Sequence, residues 1–484
     1  METKEKGYQA SMNKDESFRD SVSTIDQKGK RVWITPQKPH GKFYEARKWV
    51  SYGCLAILFL IPFIKVNGNP LLLLNVLERK FIIFGLIFWP QDFFLFGLTM
   101  LTFVVFIVLF TSIFGRLWCG WTCPQTVFME MVFRRIEYLI EGDGSQQKAL
   151  NKSDWTTEKI LKKGIKHIIF YVVSFIIANT FLAYIIGIDE LYKIATEPIE
   201  QHTSGFLAIL IFSGVFYGVF AHFREQVCLV VCPYGRLQGV LLDKNSIVVA
   251  YDYVRGEPRK LFKKNEERRA GDCIDCHQCV KVCPTGIDIR NGTQLECINC
   301  TACIDVCDHM MDSVGLDKGL IRYASEDGIA KKQKLRFTTR IALYSALLTI
   351  LLTGLGIGIA LRSDTETTIL RTPGMLFQKQ PDGRISNLYN YKIVNKTTED
   401  FPVQLKLENI KGEIRLVGDQ RNLEAKNQAI SEGEFFVITD PSEVTQRKTK
   451  IKIGVYSGDK KIETVKTTFM GPGGSHRIHS DDTH

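Results

Sequence analysis

Long apolar runs alternate with polar, basic connections through the first 361 of the 484 residues. Runs of about 17–25 apolar residues are typical of helices that cross a bilayer, so this pattern predicts an α-helical membrane protein. The five predicted spans are Trp49–Val66, Phe93–Phe114, Ile165–Gly187, Gly205–Phe223 and Ile341–Leu361. A further apolar stretch, 71–89, is interrupted by the charged residues 78–80. We predict that it lies at the outer interface, because charges are costly at the bilayer centre.

Beyond Leu361 the pattern changes to short stretches in which apolar and polar residues alternate. Alternation with a period of two is typical of β-strands that bury one face. The predicted strands are Tyr391–Asn395, Val403–Leu407, Glu413–Val417, Glu434–Thr439, Lys450–Tyr456 and Glu463–Phe469. Six or seven strands in about 110 residues indicate an all-β sandwich. The region contains no cysteine and no catalytic constellation, so we interpret it as a structural or partner-binding module.

Basic residues are concentrated in some connections and scarce in others. Segments 1–48 and 115–163 contain 11 and eight Lys or Arg residues, whereas 67–92 and 188–204 contain two and one. By the positive-inside rule the first two segments are cytoplasmic, and five spans then place the C-terminus outside. The net charge of +10 is interpreted as a sign of interaction with the membrane surface and not with nucleic acid, because the basic residues flank the apolar runs.

These patterns predict the domain organisation. Residues 1–48 contain no apolar signal-peptide core, and we interpret them as a mostly disordered cytoplasmic tail. The other predicted segments are a four-span membrane region (49–223), a cytoplasmic segment (224–340) with a ferredoxin-like domain at about 265–315, a fifth transmembrane helix (341–361), an outer β-sandwich (362–475) and a histidine-bearing tail (476–484).

The chain has 13 cysteines, and eight of them form two copies of one pattern. The copies are Cys273-x2-Cys276-x2-Cys279-x3-Cys283-Pro284 and Cys297-x2-Cys300-x2-Cys303-x3-Cys307, in which Asp308 replaces the second proline. In such runs three cysteines hold one 4Fe–4S cluster and the fourth ligates the other cluster. The predicted ligands are Cys273, Cys276, Cys279 and Cys307 for cluster one, and Cys297, Cys300, Cys303 and Cys283 for cluster two. Two zinc sites are the alternative, but zinc sites use paired C-x2-C or mixed Cys/His sets.

Four more cysteines form two Cys-x3-Cys-Pro pairs, which follow the second and fourth predicted spans. The pairs are Cys119 with Cys123 and Cys228 with Cys232. If each pair lies on one helix, both sulfurs face the same side, and two such helices present four sulfurs to one site. Thiolates select Cu(I), zinc or an iron–sulfur cluster, so we predict a metal or redox site, with copper favoured over zinc. The alternatives are buried apolar cysteines and a disulfide within each pair.

Other polar residues near these cysteines have less specific interpretations. His167 and His222 lie at the cytoplasmic ends of the third and fourth spans, where they are candidate metal ligands or contacts for lipid head groups or a quinone. Arg116 and Arg236 lie beside the cysteine pairs and are interpreted as positive-inside anchors. The acidic residues within 130–137 are expected on a solvated helix face.

The combination of motifs resembles the cytochrome c oxidase accessory protein family, known as CcoG, FixG or RdxA. The matching segments are Phe88-Trp89-Pro90-Gln91-Asp92, 115–126, 136–143, 225–236, both cluster runs, Arg371-Thr372-Pro373-Gly374 and 384–390. The resemblance extends over most of the chain, and the C-terminal segment is its specific part. It implies that residues 362–475 form a periplasmic immunoglobulin-like domain and that the protein lies in the bacterial inner membrane.

The resemblance also implies a function. Family members are thought to reduce Cu(II) to Cu(I) for assembly of a cbb-type oxidase, which makes Cys119, Cys123, Cys228 and Cys232 candidate copper or redox ligands here. We therefore predict a cupric reductase in which two 4Fe–4S clusters relay electrons. The sequence contains no G-x-G-x-x-G fingerprint for a flavin or nicotinamide, so a separate quinol or soluble reductase is expected as the donor.

Further partners follow from the same prediction. They are membrane lipid, a copper transporter or chaperone, oxidase assembly factors and a second copy of the chain. Two other functions stay open at this point. One is a quinol-oxidising electron-transfer subunit of a respiratory chain, and the other is a non-enzymatic assembly scaffold with structural or sensory clusters.

Overall fold

A computed structural model of the chain describes residues 23–26, 28–66, 68–76, 80–88, 93–262, 270–332, 338–363, 365–374, 376–397, 399–418, 423–427, 429–444 and 446–472. The predicted histidine-bearing tail, 476–484, lies outside the described residues. The chain divides into two compact units, Met1–Gly356 and Ile357–His484. The first unit is mainly helical, and the strands of the second begin at Thr365.

Five helices of the described residues are long and apolar enough to cross a membrane, which confirms the predicted number. They are Lys42–Phe63, Phe93–Phe114, Thr157–Ile186, Thr203–Phe223 and Thr339–Ala360. The first begins before Trp49, and Pro62 lies in the 3-10 turn that ends it at Phe63. Residues 65–66, predicted as its last part, instead pair as a short strand with 69–70.

Shorter helices fill the connections of the first unit. They are Leu117–Trp121, Pro124–Val127, Phe128–Phe133, Arg134–Ile140, Gly144–Lys152, Ile188–Thr196, Val227–Val231, Pro233–Leu241, Tyr253–Gly256, Gln278–Lys281, Ile289–Asn291, Ala302–Val314 and Glu326–Ala330. The third long helix begins at Thr157 rather than at Ile165, because the Thr156 side chain accepts a hydrogen bond from the Lys159 N–H and caps it there.

The apolar stretch between the first two long helices forms a small antiparallel sheet. Its strands are Leu72–Asn75, Lys80–Ile83 and Leu86–Phe88. Leu73, Ile82 and Ile87 form its core, and the strand Leu72–Asn75 packs against the third long helix. The sequence did not predict these strands, because the apolar run shows no alternation.

Part of the segment predicted as a disordered tail is ordered. The Ser23 hydroxyl donates to the Thr285 carbonyl at 2.6 Å, and the Gln37 N–H donates to the Lys281 carbonyl at 2.9 Å. The expectation of disorder is therefore wrong for Ser23 and Gln37, whose hydrogen bonds fix them to the ferredoxin-like segment.

A side chain from the ferredoxin-like segment caps the first long helix. The Asp305 carboxylate accepts hydrogen bonds from the backbone N–H groups of Phe43 and Tyr44, at 3.1 and 2.7 Å. These N–H groups have no partner within the helix, so the carboxylate stabilises its start. Gly41 precedes the helix with φ +142°, and a Cβ there would overlap Asp305, so the close approach requires glycine.

A two-stranded sheet supports the segment that carries the cysteine runs. Val248–Tyr251 pairs antiparallel with Ile321–Ala324. Its apolar side chains pack with Ile274, Met311 and Leu320 into one buried cluster that also contains cysteines of the first run. The cysteine loops are therefore held by a packed core rather than by loop structure alone.

The second unit is a sandwich of two antiparallel sheets. One sheet contains, in order, Glu413–Leu416, Ile430–Thr439, Ile385–Asn395 and Thr365–Arg371, with Gln378–Lys379 beside Ile385–Asn395; the other contains Leu423–Ala425, Phe401–Leu407, Lys448–Ser457 and Lys460–Met470. Tyr389, Phe435, Ile453 and Phe469 are fully buried in its core. All six predicted strands overlap observed strands, and those at 365–371, 378–379 and 423–425 were not predicted.

Candidate functional site

The eight cysteines of the two runs line two cavities. Cys273, Cys276, Cys279 and Cys307 line the first. Cys283, Cys297, Cys300 and Cys303 line the second. The groupings coincide with the predicted ligand sets, each of which takes its fourth cysteine from the other run. Cys279 lines both cavities, so the two sites are neighbours.

The backbone turns in the same way around both cavities. Asp275 and His277, on either side of the second cysteine of the first run, have φ of +52° and +55°. Asn299 and Thr301, at the equivalent positions of the second run, have φ of +55° and +67°. Such values cost about 1–2 kcal/mol per residue and persist only where the surroundings impose them. The repetition indicates that both loops are shaped to surround the same kind of group.

The thiols of both runs are buried in surroundings that disfavour free thiolates. Burial raises the pKa of Cys279, Cys297 and Cys307 to about 12. At neutral pH these groups keep their protons unless a metal ion displaces them. Four cysteines around each cavity match the ligand set of a 4Fe–4S cluster, so the residues fit two such clusters.

Each Cys-x3-Cys-Pro pair spans a break between two helices. The first cysteine of each pair lies in a short helix, Leu117–Trp121 or Val227–Val231. The second, Cys123 or Cys232, has ψ of 125° or 109° and precedes the proline that begins the next helix. The expectation that both cysteines of a pair lie on one helix is therefore wrong. A residue before proline avoids the helical region, and proline favours the first position of a helix.

The thiols of the two pairs nevertheless lie near enough to affect one another. Burial raises the pKa of Cys119 to about 11; the Arg116 charge opposes this rise, and the nearby thiols of Cys123 and Cys232 contribute to it. Burial raises the pKa of Cys228 to about 12, again with contributions from the other three thiols. The four thiols thus influence one another across the two pairs, and we name Cys119, Cys123, Cys228 and Cys232 the four-cysteine site.

Two residues of the helix Pro233–Leu241 complete the four-cysteine site, and neither was a candidate from the sequence. The Cys119 thiol donates to Gln238 Oε1 at 2.8 Å, and the fully buried Gln238 donates through Nε2 to the Thr111 hydroxyl at 3.2 Å. Tyr234 packs against the apolar cluster that contains Cys119. These two residues are four positions apart and so lie on one face of the helix. This helical spacing after the proline is the sequence signal that could have identified them.

The four-cysteine site lies directly against the second cavity. A Cβ on Gly120 would overlap the Ile298 carbonyl oxygen and would lie 2.9 Å from the Asn299 carbonyl oxygen. Cys119 also shares one buried apolar cluster with Ile298 and Cys300. Only glycine permits this approach of two backbones, which joins the first cysteine pair to the loop of the second cluster site.

The two arginines beside the cysteine pairs have different surroundings. Arg236 is exposed, as expected of an interfacial anchor. Arg116 is only 3% exposed, and its Nη1 donates to the Leu295 carbonyl. The interpretation as an anchor is wrong for Arg116, because a guanidinium buried in protein is not available to lipid head groups.

His167 and His222 lie among aromatic side chains and are both exposed. His167 Nδ1 lies 3.0 Å from the Tyr217 hydroxyl, and the His222 ring meets Trp33 edge-on with ring centroids 5.8 Å apart. In the described ranges, no three or more His, Cys, Asp or Glu side chains are arranged to hold a single metal ion. These contacts give the two histidines no support as metal ligands.

A buried ionic network lies beside the second cavity, and the expectation of a solvated face for 130–137 is wrong. Glu137, 3% exposed, accepts two hydrogen bonds from Arg224, at 2.6 and 2.8 Å. Burial acts to raise the pKa of Glu137, but Arg224 lowers it below the ordinary value overall. Arg134 Nη2 donates to the carbonyl of Pro284, which follows a cysteine of the second cavity, at 3.2 Å. The surrounding fold, rather than local helix pattern, decides this burial.

Comparisons with known proteins agree with this architecture. Family models match a 4Fe–4S dicluster domain at residues 223–326, a 4Fe–4S binding domain at 96–140 and the immunoglobulin-like fold at the C-terminus of FixG at 355–472. The chain is similar to protein RdxA of Cereibacter sphaeroides, at 34% identity over 79% of this chain and 83% of that protein.

Two other relatives cover the chain to a similar extent. Nitrogen fixation protein FixG of Rhizobium meliloti is 31% identical over 88% of this chain and 87% of its own length. Protein RdxB of Cereibacter sphaeroides is 34% identical over 78% of this chain and 82% of its own length. The family models confirm the predicted fold class, with iron–sulfur domains and a C-terminal immunoglobulin-like sandwich.

Proposed function

This chain belongs to the FixG and RdxA family, as its motifs predicted, and from that membership we propose that it is a membrane-bound cupric reductase. The 4Fe–4S dicluster domain at residues 223–326, which contains all eight predicted cluster ligands, gives it redox capacity. In the proposed function it reduces Cu(II) to Cu(I) for assembly of a cbb-type cytochrome c oxidase. The eight predicted ligands hold the two clusters, and the four-cysteine site handles copper.

One observation carries the proposal: the two cluster sites and the four-cysteine site form a continuous series. Cys279 lies in the walls of both cavities. Gly120 then places the four-cysteine site against residues 298–299 of the second cluster loop. Electrons therefore have a packed route through the protein interior from the first cavity to the four-cysteine site.

The chemistry is a one-electron reduction of copper, which is the substrate. When bound, each 4Fe–4S cluster supplies one-electron transfer. Each Cu(II) ion takes up one electron and becomes Cu(I), and the electron comes from a quinol or a soluble reductase. The thiolates of the four-cysteine site favour Cu(I) because it is the softer ion. Before copper binds, Gln238, which itself donates to Thr111, fixes the orientation of the protonated Cys119 thiol, and the thiol proton is released when the thiolate binds copper.

We place this chemistry at the cytoplasmic face of the bacterial inner membrane, with the second unit in the periplasm. The distribution of Lys and Arg residues among the connections supports this orientation. The proposed recipients of Cu(I) are a copper transporter or chaperone and the oxidase assembly factors. The proposal includes a homodimer in a lipid membrane.

The test begins with anaerobically purified protein in which iron, sulfide and copper are counted together. About eight irons per chain are expected for two 4Fe–4S clusters. Protein that is reduced, freed of reductant and then given Cu(II) should yield about two Cu(I) per chain, since each cluster gives up one electron. Colourless, iron-free material with zinc in its place would contradict the proposal.

Two further experiments separate this proposal from the other two functions. Quinol oxidation at full rate without copper, together with no Cu(I) formation, would favour a respiratory electron-transfer subunit. Oxidase assembly that survives loss of Cys119 and Cys228 but requires the C-terminal unit would favour a scaffold.

A further inference from the structure

The first cavity contains an arginine whose charge is neutralised. Arg290 lines this cavity, and its side chain is 4% exposed. Its guanidinium pairs with Asp275 at 2.5 Å and with Asp288 at 2.6 Å. One cation and two carboxylates therefore leave this wall of the first cavity without excess positive charge.

Arg47 lies at the contact between the second cavity and the four-cysteine site. It is 3% exposed, and its Nε donates to the Gly120 carbonyl at 2.6 Å. Its positive charge acts on Cys300, a cysteine of the second cavity. Its Nη2 is buried without a hydrogen-bond partner among the described residues.

Arg116 lies at the same contact. Its Nη1 donates to the Leu295 carbonyl, and its Nε is buried without a partner in the described part of the chain. Its charge acts on Cys119 of the four-cysteine site and also on Cys297 of the second cavity. One buried cation is thus shared by the two sites.

Neither arginine has the neutralising partners that Arg290 has. Within the described ranges, Arg47 donates to a backbone carbonyl, and Arg116 donates to a backbone carbonyl and to the Cys119 side chain; neither has a hydrogen bond to a carboxylate. Glu130 is the carboxylate whose charge reaches Cys300, and it is paired with Arg134 at 3.1 Å. The second cavity therefore carries an excess of buried positive charge that the first lacks.

We infer that Arg47 and Arg116 are positioning residues that raise the reduction potential of the second cluster site above that of the first, and so direct electrons toward the four-cysteine site. A buried cation stabilises an added electron because the interior screens charge less than water does. Net charge and hydrogen bonding are the means by which a protein sets cluster potentials. The inference rests on the proposed electron relay, but it concerns the clusters and not the copper.

The experiment measures the potential of each cluster in anaerobic, copper-free, full-length protein by redox titration with electron paramagnetic resonance. Arg116→Gln and Arg47→Gln should each lower the higher of two potentials and leave the lower one unchanged. The expected change is about tenfold in the ratio of oxidised to reduced cluster, or about 59 mV for one electron. Arg116→Lys keeps a cation at this position, so its higher potential should lie close to that of the wild-type protein.

Arg236→Gln is the matched control, because it removes an exposed arginine beside the other cysteine pair. It should leave both potentials unchanged. Full iron content with unchanged potentials in both glutamine variants would overturn the inference and leave the proposed function intact. If Arg116→Gln loses iron, the Arg116→Lys variant decides between the two roles. Retained iron with a near-normal potential supports the role of the charge. Lost iron shows that Arg116 only holds the fold together, and it overturns the inference. Iron-free wild-type protein would instead contradict the proposed function.

Discussion

Cys279 is the residue that the two cavities share, and its loss should affect both. We expect Cys279→Ser to lose about four of the eight irons, because cluster one then lacks a thiolate. Local folding of the cysteine loops is coupled to metal binding, so the second cluster should also become more labile to chelators. Iron and sulfide analysis with electron paramagnetic resonance measures both effects.

Cys54→Ser is the control for that variant, since Cys54 lies in the first long helix outside both runs and both pairs. It should keep full iron content. Two intact reduced clusters in Cys279→Ser would refute the ligand assignment.

Cys119 should matter for copper and not for the clusters. Cys119→Ser is expected to keep about eight irons per chain but to lower the yield of Cu(I) at least about tenfold, because a soft ligand is replaced by a hard one. A Cu(I)-specific chelator assay after a single reduction measures the yield. An unchanged yield and unchanged copper stoichiometry would remove the four-cysteine site from the copper reaction.

Single residues also show what sequence spacing can and cannot predict. The two predicted ligand sets coincide with the cysteines that line the two cavities, because a short repeat limits which sulfurs can meet. Arg116 was misread because its burial depends on the loop near Leu295, which is 179 positions away in the chain. Gln238 carries no motif, and only its contact with Cys119 gives it a role.

At the scale of elements, apolar length predicted five helices, whereas the short elements depended on local chemistry. Pro124 and Pro233 begin new helices within the cysteine motifs and move Cys123 and Cys232 off the preceding turn. The strands at 72–88 were missed because uniformly apolar residues show no period.

The buried pair of Glu137 and Arg224 ties the helix Arg134–Ile140 to the end of the fourth long helix. We expect Glu137→Gln to destabilise the protein by about 1.5–3 kcal/mol, because the buried Arg224 loses two hydrogen bonds to a carboxylate and keeps only Glu225, at 3.6 Å, as an ionic partner among the described residues. Thermal unfolding in detergent measures this as a lower Tm. Glu158→Gln, which removes an exposed ion pair on the third long helix, should leave Tm unchanged.

The same pair sets an expected pH dependence. Arg224 lowers the pKa of Glu137 below its ordinary value of 4.5, so the pairing contributes stability above that pH. The contribution is lost as pH falls through the lower, folded-state pKa. Wild-type protein should therefore approach the Tm of Glu137→Gln only below pH 4.5. Equal Tm values at pH 7 would contradict a stabilising role.

At the scale of the whole molecule, the second unit should be independent of iron. It contains no cysteine, and its core is built from its own two sheets. We expect residues 362–484 alone to fold into a β-rich, cooperatively unfolding domain whose Tm does not change with chelators. Circular dichroism and calorimetry measure this, with the full chain as the comparison. A disordered or aggregated fragment would show that the sandwich needs the rest of the chain.

The fold class could be predicted from the sequence because the apolar helices and the alternating strands have different hydrophobic periods. The hydrogen bonds of Ser23 and Gln37 could not, because a polar segment gives no sign of where its hydrogen bonds will go. The Gln37 N–H finds its partner at Lys281, which only the folded chain brings near.

The carboxylate that closes the start of the first long helix is synthesised 261 or 262 positions after the N–H groups it accepts from. At about 5–20 residues per second, the ribosome needs roughly 10–50 s to synthesise the chain as far as Asp305. The first long helix therefore enters the bilayer before its N-terminal N–H groups have this cap. Asp305 stands between Cys303 and Cys307, two thiols that we assign to different iron clusters. In a cell starved of iron we expect chains to accumulate that are inserted in the membrane but lack the Asp305 cap on the first long helix. A quality-control protease should cleave such chains first near the uncapped start of this helix.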